Sequence, residues 1–132
     1  LISSKFKSSK ELYNSGGLSA IKEDTINKSD FLNNLGINLN LAPVVDVTTN
    51  SSDYMYVRAL GENTAATAEY AKTVIEASKK THVSYTLKHF PGYGNNTDTH
   101  YNSSVDNRTY ESIVRNDLPS LTAFFISSKL SL

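Results

Sequence analysis

The order of local patterns along the chain predicts an α/β fold with parallel strands. Three observations carry it: two β-prone runs, helical periodicity before, between and after them, and a polar loop at the end of each run. Strands joined through a helix pair in parallel by right-handed crossovers. In such sheets functional groups gather where loops leave the carboxyl ends of the strands.

Each element has its own local reason. Leu1 to Gly17 is rich in Ser and Lys and closes on Asn14-Ser15-Gly16-Gly17, a turn signal. It reads as an unassigned or linker segment with a short helix around Lys10 to Tyr13 and its lysines on a solvated face. From Ser19 a helical pattern follows, with Ile21, Ile26, Phe31, Leu32 and Leu35 near one side and Gly36 suited to end it. Ile37-Asn38-Leu39-Asn40-Leu41 alternates as a strand does, and Ala42-Pro43-Val44-Val45-Asp46-Val47 continues it, with Pro43 at a strand end or bulge. Thr48 to Tyr54 is a polar loop. Asn63 to Lys80 is helical, with a stripe of Ala66, Tyr70, Ala71, Val74, Ile75 and Ala77. His82 to Phe90, rich in β-branched and aromatic residues, predicts the second strand. Pro91-Gly92 and Gly94 stop it, and a loop runs to about Asn107. Tyr110 to Asn116 and Leu118 to Phe125 read as helix, interrupted at Pro119.

Composition bounds the function. At 132 residues the chain is the size of one domain. Thirteen basic and thirteen acidic residues cancel, which argues against nucleic acid as a partner, since phosphate neutralisation needs clustered positive charge. No run is long and apolar enough for a membrane span. With no cysteine, disulfides, thiolate metal sites and cysteine nucleophiles are excluded. The absence of an initial methionine at Leu1, and of a helix stop in the last seven residues, marks both ends as possible cuts.

The densest chemistry lies in Lys88-His89-Phe90-Pro91-Gly92-Tyr93-Gly94-Asn95-Asn96-Thr97-Asp98-Thr99-His100. A cation and an imidazole stand at a strand end, and a glycine-containing loop carries an Asp-X-His pair. A carboxylate beside an imidazole fixes its tautomer and stabilises its protonated form, as acid–base chemistry requires. Lys88 and His89 are suited to hydrogen-bond hydroxyl groups. An ordinary polar surface loop contains the same residue types, so the pair alone leaves both readings open. Two histidines and one aspartate without a fourth ligand make a poor metal site, and no metal or cofactor is expected. His82 reads as structural, Tyr70, Tyr85 and Tyr110 as packing residues, and Tyr54, Tyr56, Tyr93 and Tyr101 as loop residues, one of them a candidate to stack on a ligand ring.

Lys88 to Gly94 followed by Asp98-Thr99-His100 resembles the Lys-His-Phe-Pro-Gly-His-Gly…Asp-Ser-His signature of family 3 glycoside hydrolases, in particular their bacterial β-N-acetylglucosaminidase branch. Asn40-Leu41-Ala42-Pro43-Val44-Val45-Asp46-Val47 is similar to that family's Asn-Leu-Ala-Pro-Val-Val-Asp-Val strand, and Arg58-Ala59-Leu60-Gly61 resembles its Arg-Ser-Phe-Gly stretch. The resemblance, running over about 18–126, implies a portion of a (β/α)8 TIM-type barrel, about half of the full barrel, with a site among its βα loops. It implies His100 as general acid/base, Asp98 as its orienting group, Asp46 hydrogen-bonded to sugar hydroxyls, Lys88 and His89 in the −1 subsite, and Arg58 as a structural or pocket-edge cation. Tyr93 stands where the family has His, and Thr99 where it has Ser. The family's nucleophilic aspartate falls on a later strand. Asp106 and Asp117 do not match its context, so the nucleophile is expected outside this chain.

The implied function is part of a retaining exo-β-N-acetylglucosaminidase, inactive alone, whose substrate is an N-acetylglucosamine-containing glycan or a peptidoglycan fragment. The alternatives are a carbohydrate-binding or scaffold remnant and a β-glucosidase; the Asp-X-His loop speaks against the last. A bacterial, extracellular or cell-surface setting is favoured over a cytoplasmic one. Exposed barrel edges predict self-association.

Overall fold

The computed structural model describes residues 6–101 and 103–122, in the order α1 (Ser9–Asn34), β1 (Leu39–Asn40), α2 (Thr64–Ser78), β2 (Ser84–Tyr85) and α3 (Tyr110–Asn116). Further helical turns cover 118–122. The expected helix to Phe125 runs past this point, so its last three residues, like both chain ends, lie outside the described residues.

Helix α1 begins at Ser9, ten residues before the predicted one. Ser8 and Glu11 form a capping box: the Ser8 hydroxyl accepts from the Glu11 amide and the Glu11 carboxylate accepts from the Ser8 amide at 2.8 Å. The turn signal at Asn14–Gly17 is realised at one residue, Gly17, whose φ of 59° kinks the helix without ending it. The buried stripe is Ile21, Thr25 and Ser29 rather than the expected apolar set, and Leu35 is 56% exposed. Thr25 and Ser29 tolerate burial because each hydroxyl donates to the carbonyl four residues earlier. The end matches expectation: Gly36 at φ 76° lets the amides of Gly36 and Ile37 donate to Asn33 and Leu32, a Schellman motif.

Strands β1 and β2 pair in parallel, Leu39 with Ser84 and Asn40 with Tyr85, as the alternation of elements predicts. A second bridge joins Val44 to Lys88. Between the two bridges the first strand advances four residues and the second three. The extra residue lies in the Leu41–Pro43 stretch, the bulge that Pro43 requires. Leu39 and Leu41 are exposed, whereas Asn40 and Val44 border a cavity shared with Ile21, Tyr70 and Tyr85. Beyond the bulge Val45 joins the core and Asp46 turns to the other side.

Helix α2 starts at the Asn63 cap and buries Thr67, Tyr70, Ala71, Val74, Ile75 and Ala77. The core comprises Ile21, Val45, Leu60, Tyr70, Ala71 and Val74, with Leu12, Leu18, Tyr85 and Leu87 packed on it. Ser9 satisfies the buried Tyr70 hydroxyl at 2.7 Å, and burial pushes that phenol up to about 12. Tyr85 reaches α1 through Ser29 at 3.0 Å. Tyr110 is 76% exposed and does not pack as predicted, because α3 buries none of its residues. Helix α3 ends at Asn116 and helical turns resume at 118, as the sequence divides them. Pro119, however, sits in the first turn of 118–122, where its missing N–H costs nothing, and is not what separates the two. No described helix is long and apolar enough to cross a membrane.

Candidate active site

Asp46 follows β1 and is the buried hub of the strand ends; its side chain is 1% exposed. Three donors converge on its carboxylate: the His89 amide at 3.2 Å and His89 Nδ1–H at 2.7 Å on Oδ2, and the Tyr93 amide at 2.7 Å on Oδ1. A carboxylate only accepts, so this contact keeps the proton on Nδ1 of His89 and leaves Nε2 as the free nitrogen. The isolated bridge places Lys88 opposite Val44, two residues before Asp46, so the ends of both strands meet here. The peptide bonds before Pro43, His89 and Pro91 are cis.

Tyr93 links this hub to the loop beyond. Its ring meets His89 edge-on at 4.9 Å and lies 5.7 Å from Tyr54. Its hydroxyl is 2.6 Å from Thr99 Oγ1. On the same loop Asp98 Oδ1 accepts from His100 Nδ1–H at 2.6 Å and from the His100 amide at 2.9 Å. The imidazole is 68% exposed, its Nε2 left unengaged by Asp98. These bonds, the backbone one first, hold the Asp98 carboxyl below its ordinary value, with Tyr54 contributing. Burial and the adjacent Asp98 raise the Tyr54 phenol, while Arg58 opposes them. Thr48, buried, donates to Asp53 at 2.6 Å and so fixes the short loop that presents Tyr54.

A second anchor was not anticipated from sequence. Arg108 binds Asp106 at 2.7 Å, Asp117 at 2.7 Å and the Gly92 carbonyl at 2.8 Å. It thereby ties the Pro91–Gly94 turn to the start and end of α3. The fit is close: a Cβ on Gly92 would strike Asp117 Oδ1, and one on Gly94 would lie 2.5 Å from the Arg108 Cζ. The hydrogen bond from Arg108 holds Asp106 down to about 2, whereas burial pushes Asp117 up. The only local hint in the sequence is Asp106-Asn107-Arg108, a spacing that lets one side chain cap the next backbone turn.

His89, Tyr93 and Thr99 border a cavity of about 330 Å³ together with Phe90, Gly92, Asn96, Ser104 and Asp106. The structure therefore gathers Asp46, His89, Asp98 and His100 into one connected region through Tyr93, with Arg58 reaching it through Tyr54. Asp106 and Asp117 are both committed to Arg108. Of the four loop tyrosines, Tyr56 lies under Lys10 Nζ at 3.5 Å, and Tyr101 stands 84% exposed. Among the described residues no three carboxylate or imidazole groups converge as a metal site would.

Comparison with known proteins places this arrangement. Residues 4–130 match the model of the glycosyl hydrolase family 3 N terminal domain. The chain is 41% identical over 73 residues to beta-hexosaminidase A of Pseudoalteromonas piscicida, covering 54% of this chain and 12% of that protein. It is 29% identical over 112 residues to beta-hexosaminidase LpqI of Mycobacterium tuberculosis, covering 84% of this chain and 29% of that one. The fold is similar to that of a family 3 beta-N-acetylglucosaminidase from Paenibacillus, with a TM-score of 0.79 at 26% identity, over 87% of this chain and 22% of that structure. The chain spans less than a third of the length of each of these relatives. Its β1–α2–β2 run is part of the (β/α)8 barrel that such domains form. By its sequence across nearly the whole length, and by the fold that brings those motifs together, the chain belongs to glycosyl hydrolase family 3.

Proposed function

We propose that this chain supplies the acid/base side of a retaining exo-β-N-acetylglucosaminidase acting on terminal N-acetylhexosamine, in glycans such as bacterial cell-wall peptidoglycan fragments. The observation that carries this reading is the 2.6 Å contact of His100 Nδ1 with Asp98 on the loop that follows β2. That contact leaves Nε2 to exchange protons with substrate. In the first step an aspartate from beyond these 132 residues attacks the anomeric carbon while Nε2–H protonates the departing glycosidic oxygen. In the second, Nε2 takes a proton from the water that attacks the glycosyl ester, which releases the sugar and the carboxylate. One imidazole thus gives a proton in the first step and takes one in the second.

Lys88 and His89 contact the sugar in the −1 subsite, His89 through its free Nε2, and Arg58 sits at the pocket edge. Asp46 hydrogen-bonds sugar hydroxyls, and its bonds from His89 and from the Tyr93 amide orient the imidazole beside it. The beta-hexosaminidase names of two relatives and the beta-N-acetylglucosaminidase name of the Paenibacillus structure support this choice of substrate.

The test is hydrolysis of a chromogenic N-acetylglucosaminide by the 132-residue chain and by the complete gene product. Turnover is expected from the second only, and His100→Ala should lower it about a hundredfold or more. Turnover by the 132 residues alone would contradict the external nucleophile. A loss within twofold on His100→Ala would reject the acid/base assignment. An inactive complete protein would favour a binding remnant, and faster turnover of the matching glucoside would favour a β-glucosidase.

A further inference from the structure

We infer that Tyr93 and Thr99 form a hydroxyl latch that positions the loop carrying His100. The inference rests on the acid/base reading of that histidine. These are the two stated departures of the Lys88–His100 stretch from the signature it resembles, and the two departing side chains bond to each other at 2.6 Å. A His and a Ser at these places would have different reach and a different donor set, so the pair reads as one matched exchange.

The geometry gives the latch a fixed and a moving end. Tyr93 is the fixed end: its amide is bound by buried Asp46, and its ring lies between His89 and Tyr54. Thr99 is the moving end, set between Asp98 and His100 on an exposed loop. That loop leaves Gly94, at φ 56°, through Asn95 and Asn96, residues that resist little backbone rearrangement. Within it, Asp98 fixes how the His100 ring sits on the loop; these contacts do not fix where the loop sits on the barrel. The Tyr93 hydroxyl supplies that second constraint, with Tyr54 on Asp98 beside it. Because Tyr93 acts through Thr99, it is a positioning residue. A displacement of about 1 Å at an acid/base group costs about a hundredfold in rate, so one tether removed from a loop held by several should cost less.

The experiment uses the complete gene product and an unactivated N-acetylglucosaminide, which needs its leaving group protonated. Tyr93→Phe removes only the phenolic oxygen, and Thr99→Val only its partner. Each is expected to lower kcat about tenfold with KM within twofold, while Thr99→Ser keeps the parent rate. The Tyr93→Phe/Thr99→Val double variant should be no slower than either single one, and Tyr93→Phe should add nothing on a His100→Ala background. Amide exchange over 95–101 should quicken in Tyr93→Phe and in Thr99→Val but not in Thr99→Ser. Parent-like kcat in Tyr93→Phe, multiplying losses in either double variant, or a Thr99→Ser as slow as Thr99→Val would overturn the latch. If His100→Ala itself is parent-like, the acid/base reading is what has failed. The exchange measurement then decides the latch alone, and unchanged exchange rejects it.

Discussion

A single guanidinium, that of Arg108, joins the Gly92 turn, Asp106 and Asp117. Its pairing has a pH signature. Asp106 titrates at about 2 in the folded chain, so it binds fewer protons there than when unfolded. The stability it confers is complete above about pH 4 and fades as the pH falls toward 2. Asp117 has the opposite sign: its carboxyl is raised by burial, so its contribution declines as the pH climbs through the carboxylate range. Asp106→Asn is therefore expected to melt below the parent at neutral pH, with the difference closing near pH 2. Thermal unfolding across that range measures it, and a difference independent of pH would contradict the pairing. Such a clamp is hard to read from residues in line because its partners stand sixteen, two and nine positions away. Asp98 and His100 were legible because a two-residue spacing brings them together whatever the rest of the fold does. Asp46 was legible as a strand-end carboxylate, but its three donors come from a loop more than forty residues on.

Among the elements, the endings were plainer in the sequence than the faces. Gly36 announced the close of α1, and the conformation it adopts explains why. A left-handed residue disfavours a Cβ, and nothing lies within 4 Å of where one would stand. Gly36→Ala thus isolates the backbone cost and should lose about 1–2 kcal/mol in chemical denaturation. Gly36→Asn, whose side chain tolerates this region, should lose less. Equal losses would show that the cost is not conformational. The start of α1 carried an equally clear signal in Ser8 and Glu11, but the glycine pair at 16 and 17 outweighed it. The helix bends there because only Gly17 leaves helical geometry. The inward face was misread for a chemical reason: hydroxyls at Thr25 and Ser29 bond within their own helix and so behave as small core residues. In the strands, regular pairing is confined to two residues each, since the bulge interrupts a run that propensity alone would extend.

At the scale of the molecule, parallel topology followed from the alternation of elements, and the barrel from motifs at the strand ends. The exposed apolar side of β1 did not follow from either, because alternation shows that a strand has two faces but not what covers them. Leu39, Leu41 and Phe90 are 50%, 61% and 79% exposed, beside a two-stranded sheet. Unpaired strands with apolar faces seek partners. The 132-residue chain is expected to sediment as an oligomer, and the complete gene product with those faces covered to show no such association; a clean monomer of the short chain would contradict this. The added residue between Leu41 and Pro43 reaches further than its size suggests. Side chains on an extended chain take turns, so inserting one swaps every later turn. Were it deleted, Val45 would stand at the mouth of the barrel and Asp46 would be thrust among Ile21, Leu60 and Val74. Whether this strand offers His89 and Tyr93 a charge or a hydrocarbon is thus decided by counting to an odd or an even number.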